Sequence, residues 1–91
     1  MNNEWEAVTK SGTKYRYQGG RIRIIPVDGR PHTISPIALR ASVSNEAELM
    51  VPWIRPEQWM DVTRPVIGRR LYVCGTEEWR ISTAIVSVED M

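Results

Sequence analysis

Between Lys14 and Ile25 the chain reads KYRYQGGRIRII, a double glycine between two alternating runs. A Gly-Gly pair in that setting predicts a two-residue primed turn joining two antiparallel strands. The turn fixes the pairing: Gln18 opposite Arg21, Tyr17 opposite Ile22, Arg16 opposite Arg23 and Tyr15 opposite Ile24. Side chains alternate along a strand, so Tyr15, Tyr17, Ile22 and Ile24 share one face, and Lys14, Arg16, Arg21 and Arg23 share the other. The first face is core. The second is a patch of four like charges, in which Arg16 and Arg23 repel each other directly. Acidic side chains or phosphates lying over the patch would offset that cost.

The remaining pattern is also extended. Glu4 to Thr9 alternates Trp5, Ala7 and Thr9 against Glu4, Glu6 and Val8, and a Ser11-Gly12 turn follows. Pro26 closes the second hairpin strand because it has no amide proton for a ladder. Asp28-Gly29 marks another turn, and His32 to Ser35 is a candidate short strand that Pro31 and Pro36 bracket tightly. Ile37 to Ser44 has a clean period of two, with Ile37, Leu39, Ala41 and Val43 on one side. In residues 45–65, Asn45 with Glu48 marks a helix start that Pro52 cuts to about two turns, and an extended Glu48 to Val51 competes with it. Pro56 opens a short helix near residues 56–63, with Trp59 and Val62 facing inward. Arg69 to Cys74 and Trp79 to Val88 are strands joined by a loop, Gly75 to Glu78. The expectation is a single all-β domain over residues 1–91. It is a small curled sheet or a partly open Src-homology-3-like barrel of about five or six antiparallel strands with that one short helix.

A chain this size buries roughly 60% of its unfolded surface, enough for one core but not for a deep substrate cavity and a second lobe. Its aromatic residues are four Trp and three Tyr with no Phe, and their polar edges favour core margins and interfaces. The single Cys excludes an internal disulfide and fits a reducing compartment. No signal-peptide pattern and no apolar run of about 20 residues is present, so the expectation is a cytoplasmic protein without a membrane span. Net charge is +1, yet residues 1–44 carry seven Lys/Arg against three acids and residues 45–91 carry five against eight. That asymmetry fits an acidic partner or head-to-tail self-association.

Catalytic and metal chemistry finds little support. One His and one Cys cannot supply a metal site, so neither metal nor cofactor is expected. His32 reads as a solvated loop residue, with Ser35 and Asp28 near in sequence but nothing to fix a triad. Cys74 reads as a small buried hydrophobe rather than a nucleophile. Glu77-Glu78 read as a solvated hairpin tip, and Gly19-Gly20 do not open a helix as a phosphate loop would. The chain is expected not to be an enzyme.

Binding by the basic face remains. Ten of the twelve basic residues are Arg, which pairs with carboxylates in a geometrically demanding way. Lys14, Arg16, Arg21, Arg23 and Arg30 are the candidate contacts, with Trp53 and Trp59 as aromatic anchors of the kind enriched at interfaces. Trp79 stands beside Arg80 in the same way. The plainer use of such Arg side chains is to cover apolar surface while their heads stay in water. Three partner classes follow. The favoured one is a protein with an acidic surface. Nucleic acid bound without sequence preference is the alternative, although Tyr15 and Tyr17 point away from the Arg face and leave no base reader. The third is a second copy paired through an exposed strand edge.

The C-terminal third, Pro65-Val66-Ile67-Gly68-Arg69-Arg70-Leu71-Tyr72-Val73 and then Glu78-Trp79-Arg80-Ile81-Ser82-Thr83-Ala84-Ile85-Val86, resembles the ends of small bacteriophage-encoded accessory proteins. In these a Gly-basic-Leu strand precedes a Trp-x-x-Ser/Thr strand. The resemblance carries no catalytic residues. It implies an accessory factor or inhibitor that occupies a surface of a host or phage macromolecule.

Overall fold

The computed structural model describes residues 3–44 and 56–91. They form one antiparallel sheet of eight strands: β1 Trp5–Thr9, β2 Lys14–Gln18, β3 Arg21–Ile25, β4 His32–Ile34, β5 Pro36–Ser42, β6 Trp59–Asp61, β7 Arg70–Gly75 and β8 Trp79–Asp90. Their spatial order is β4-β3-β2-β1-β8-β7-β5-β6. The first four strands form a meander, in which each neighbour in sequence is a neighbour in space. The long β8 pairs with β1 along its C-terminal part and with β7 along its N-terminal part, so it belongs to both halves of the sheet. Register shifts at Val8/Thr9, Arg70/Tyr72 and Pro36/Ala38 bend the strands where the halves meet.

Chain reach forces the sheet to curl. Only Ser35 separates β4, at one edge, from β5, which lies six strand positions away. In a flat sheet those positions would be about 29 Å apart, at ~4.8 Å per strand. Two peptide units span at most about 7.6 Å. The edges therefore converge at Ser35, and Gly75 marks the meeting point. A Cβ built on Gly75 would lie 2.9 Å from Ile34 Cγ2 and 2.8 Å from the carbonyl oxygen of Glu78.

The core lies inside this curl. Trp5, Ala7, Tyr15, Ile22, Ile24, Ile34, Leu71, Val73 and Ile85 are buried, with Tyr17, Leu39 and Val88 packed against them. Trp5 and Tyr17 are cross-strand partners, and their rings stack with centroids 5.6 Å apart. Burial pushes the Tyr15 hydroxyl above the ordinary tyrosine range, against a smaller opposite pull from Arg80. Where β7 and β8 fall out of register, hydroxyls take over from the ladder. Ser82 Oγ accepts from the Leu71 amide at 2.9 Å, and Ser42 Oγ accepts from the Arg70 amide at 3.0 Å.

Several expectations change. The strands number eight rather than five or six; two of them, β4 and β6, are three-residue edges, the first hemmed in by prolines and the second carrying a helix signal in the sequence. The helix expected near residues 56–63 is a single 3₁₀ turn, Pro56–Gln58. Trp59, Met60 and Asp61 find ladder partners in Ser42, Ala41 and Arg40, so strand pairing overrides the local helix signal. Ile37 is 69% exposed, because the shift between Pro36 and Ala38 interrupts the alternation there. His32 lies in β4, half-buried opposite Ile24, and not in a solvated loop. The readings for Asn45 to Val51 fall outside the described residues.

Gly75→Ala tests the convergence of the edges. The new methyl group meets backbone and core, so denaturant unfolding is expected to show a loss of about 1–3 kcal/mol. The exposed neighbouring change Thr76→Val serves as control and is expected to stay within ~0.5 kcal/mol of the parent. Equal stability of the parent and the Gly75 variant would contradict the convergence.

Candidate functional site

The β2–β3 hairpin has the register that its sequence specifies. Arg16 faces Arg23, Tyr15 faces Ile24, Tyr17 faces Ile22 and Gln18 faces Arg21. Gly19 and Gly20 have φ of 60° and 75°, values that side-chain-bearing residues adopt at a cost and that a primed turn requires. Lys14, Arg21 and Arg23 are exposed and Arg16 is half-buried on the outer face, while Tyr15, Ile22 and Ile24 are buried.

The neighbouring strand decides what this face can do. β1 pairs with β2 so that Glu6 stands opposite Arg16. Glu6 Oε2 accepts from Arg16 Nε at 2.8 Å and from Nη2 at 2.6 Å. Glu4 Oε2 accepts from the Gly19 amide at 2.8 Å, tying the turn to the start of β1. On the far side of β1, Glu6 faces Glu89 of β8. One line across the outer face therefore reads Thr33, Arg23, Arg16, Glu6, Glu89, strand by strand. Arg16 is neutralised from within. Lys14, Arg21 and Arg23 make no ion pair among the described residues.

The other candidates are elsewhere. Arg30 is exposed in the loop between β3 and β4, off the strand face. Trp53 falls outside the described residues. Trp59 is in β6, at the opposite end of the strand order, where it joins a row of rings. Its ring lies 5.2 Å from that of Tyr72, and Tyr72 lies 6.2 Å from Trp79, both edge-to-face. Trp79 is 56% exposed. Burial pushes the Tyr72 hydroxyl up, the Cys74 thiol beside it adds to the shift, and Arg40 opposes it. The sequence reading misses Tyr72, whose signal is its place between the buried Leu71 and Val73 in the alternation of β7. Arg80 donates to the carbonyl oxygen of its neighbour Trp79.

Cys74 is half-buried rather than buried. Among the described residues no group of three or more His, Cys, Asp or Glu is placed to hold a metal ion. No described helix is long and apolar enough to cross a membrane. The surface has open depressions, one of about 480 Å³ bounded by Asp61, Val62, Thr63, Arg64 and Val66. Compared with known proteins, the chain matches no family model, no curated protein and no solved structure.

A double-mutant cycle on Glu6→Gln and Arg16→Gln measures the internal neutralisation. The pair is partly shielded, with side chains 21% and 41% exposed. A coupling of about 0.5–1 kcal/mol is expected from denaturant unfolding at low salt. Zero coupling would mean that the contact does not hold Arg16 in solution.

Proposed function

We propose that the protein is a non-enzymatic docking factor that applies the outer face of the β2–β3 hairpin to an acidic surface of a protein partner. The observation that carries this reading is the unequal fate of the four cations. Glu6 holds Arg16 against the sheet, and Lys14, Arg21 and Arg23 project without an ion pair among the described residues. A face on which one cation of four is already neutralised, with carboxylates on the next strands, favours a compact acidic patch over an extended polyanion. A nucleic-acid backbone laid across the strands would meet Glu6 and Glu89 directly after the Arg residues. The rings available for stacking on bases, Trp59, Tyr72 and Trp79, lie on β6, β7 and β8, away from the hairpin.

The convergence of the sheet edges at Ser35 supports a partly open, Src-homology-3-like barrel as the finer description of the curl. In this reading the chain acts as an accessory factor or inhibitor by occupying a partner's surface, as the phage-type resemblance of its C-terminal third implies. It works in the cytoplasm.

Fluorescence anisotropy with a labelled oligo-glutamate peptide and a single-stranded oligonucleotide of equal charge tests the proposal. The peptide is expected to bind at low salt at least as tightly as the oligonucleotide. Arg21→Ala with Arg23→Ala is expected to weaken peptide binding at least tenfold, with thermal stability unchanged or raised, since the Arg16–Arg23 repulsion goes. Tighter oligonucleotide binding with a steep salt dependence would replace the protein partner with nucleic acid. No peptide binding by the parent protein would overturn the proposal.

A further inference from the structure

The outer line Arg23, Arg16, Glu6, Glu89 has a symmetry of its own. Reading outward from the Arg16–Glu6 contact, one side continues with Arg23 and the other with Glu89, in adjacent strands. Two like-charge pairs of opposite sign thus flank one satisfied pair. Arg16 opposite Arg23 and Glu6 opposite Glu89 are both repulsive in the isolated chain. Arg23 and Glu89 are exposed, and neither makes an ion pair among the described residues. A two-fold axis parallel to the strands, between β1 and β2, lays this line on a copy of itself. Arg23 then sits over the partner's Glu89, Arg16 over the partner's Glu6, and the reverse contacts follow from the symmetry. Such a contact is isologous and closes at two copies.

We infer that a second copy of this chain is a partner of the hairpin face, forming a face-to-face dimer through β3, β2, β1 and β8. This names one acidic surface of the kind the docking reading requires, and it rests on that reading. Both repulsions are relieved at once, because each unpaired charge gains an opposite one. The area is modest. Four strands at ~4.8 Å by about five residues at ~3.3 Å give roughly 320 Å² per copy. Stable interfaces bury about 800 Å² per partner, so the dimer is weak, reversible and salt-sensitive. It would cover the docking cations at high concentration and free them on dilution or when a stronger acidic surface competes.

Charge reversal with complementation gives a sharp test by sedimentation velocity, at ~10 µM to ~1 mM protein and about 20 mM salt, where surface charges are least screened. The parent chain is expected to shift from monomer to dimer across that range and back when salt is raised. Arg23→Glu alone places Glu over the partner's Glu89, and Glu89→Arg alone places Arg over the partner's Arg23. Each variant is expected to self-associate at least tenfold more weakly. An equimolar mixture of the two restores opposite charges at both contacts and is expected to dimerise at least as well as the parent. Both positions are exposed, and circular dichroism checks that the fold is kept. A parent that stays monomeric, a dimer indifferent to either substitution, or a mixture that does not recover would each overturn the inference. The oligo-glutamate titration separates the two proposals. A parent chain that binds the peptide but stays monomeric sinks the dimer alone, whereas loss of peptide binding in the parent sinks the docking reading.

Discussion

Register in the β2–β3 hairpin is set by a two-residue turn at two successive glycines in the left-handed region, which other residues enter only with strain. A slip of one residue would flip the strand that slips, exposing Tyr15 and burying Arg16 on β2, or exposing Ile22 and Ile24 and burying Arg23 on β3. The penalty for that exchange is large, since Ile22 is fully buried and Tyr15 and Ile24 nearly so. Turn geometry and side-chain burial therefore select the same pairing. From it follow the stack of Trp5 on Tyr17, the contact of Glu6 with Arg16 and the direction in which the remaining cations point.

The electrostatics of the outer face are a second consequence of the same pairing. An isolated hairpin would carry four cations on one side. Placing β1 beside it adds Glu6 within hydrogen-bond distance of Arg16 and brings Glu4 onto the turn amide. Glu89 enters only because β8 runs alongside β1, late in the chain. The face is thus assembled from residues far apart in sequence, and its charges are ordered by strand: positive on β3 and β2, negative on β1 and β8. That ordering, more than the total charge, governs what can dock on it.

Where the cause is local, the structure is legible in the sequence. The double glycine specifies the register the structure has, and the set Trp5, Ala7 and Thr9, which alternates with Glu4, Glu6 and Val8, is the buried one. What was hidden depends on contacts between distant segments. Glu6 as the partner of Arg16 required knowing that β1 lies next to β2 and at which register. β6 looked helical after Pro56, but three ladder partners on β5 outweigh two turns of helix propensity. The exposure of Ile37 follows from a register shift that no periodicity reveals. The row Trp59, Tyr72, Trp79 gathers residues from three strands, so the sequence showed its members separately. Its place on the far half of the sheet separates Trp59 from the basic residues with which it was grouped.

The central claim is that the outward hairpin cations form the docking surface while Arg16 stays engaged by Glu6. Residue-resolved NMR of the labelled protein during titration with oligo-glutamate tests it most directly. Shifts concentrated on the Lys14, Arg21 and Arg23 amides and guanidinium or ammonium groups are expected, with the Arg16 guanidinium signal little changed. Shifts centred instead on Trp59, Tyr72 and Trp79, with the hairpin silent, would contradict the account.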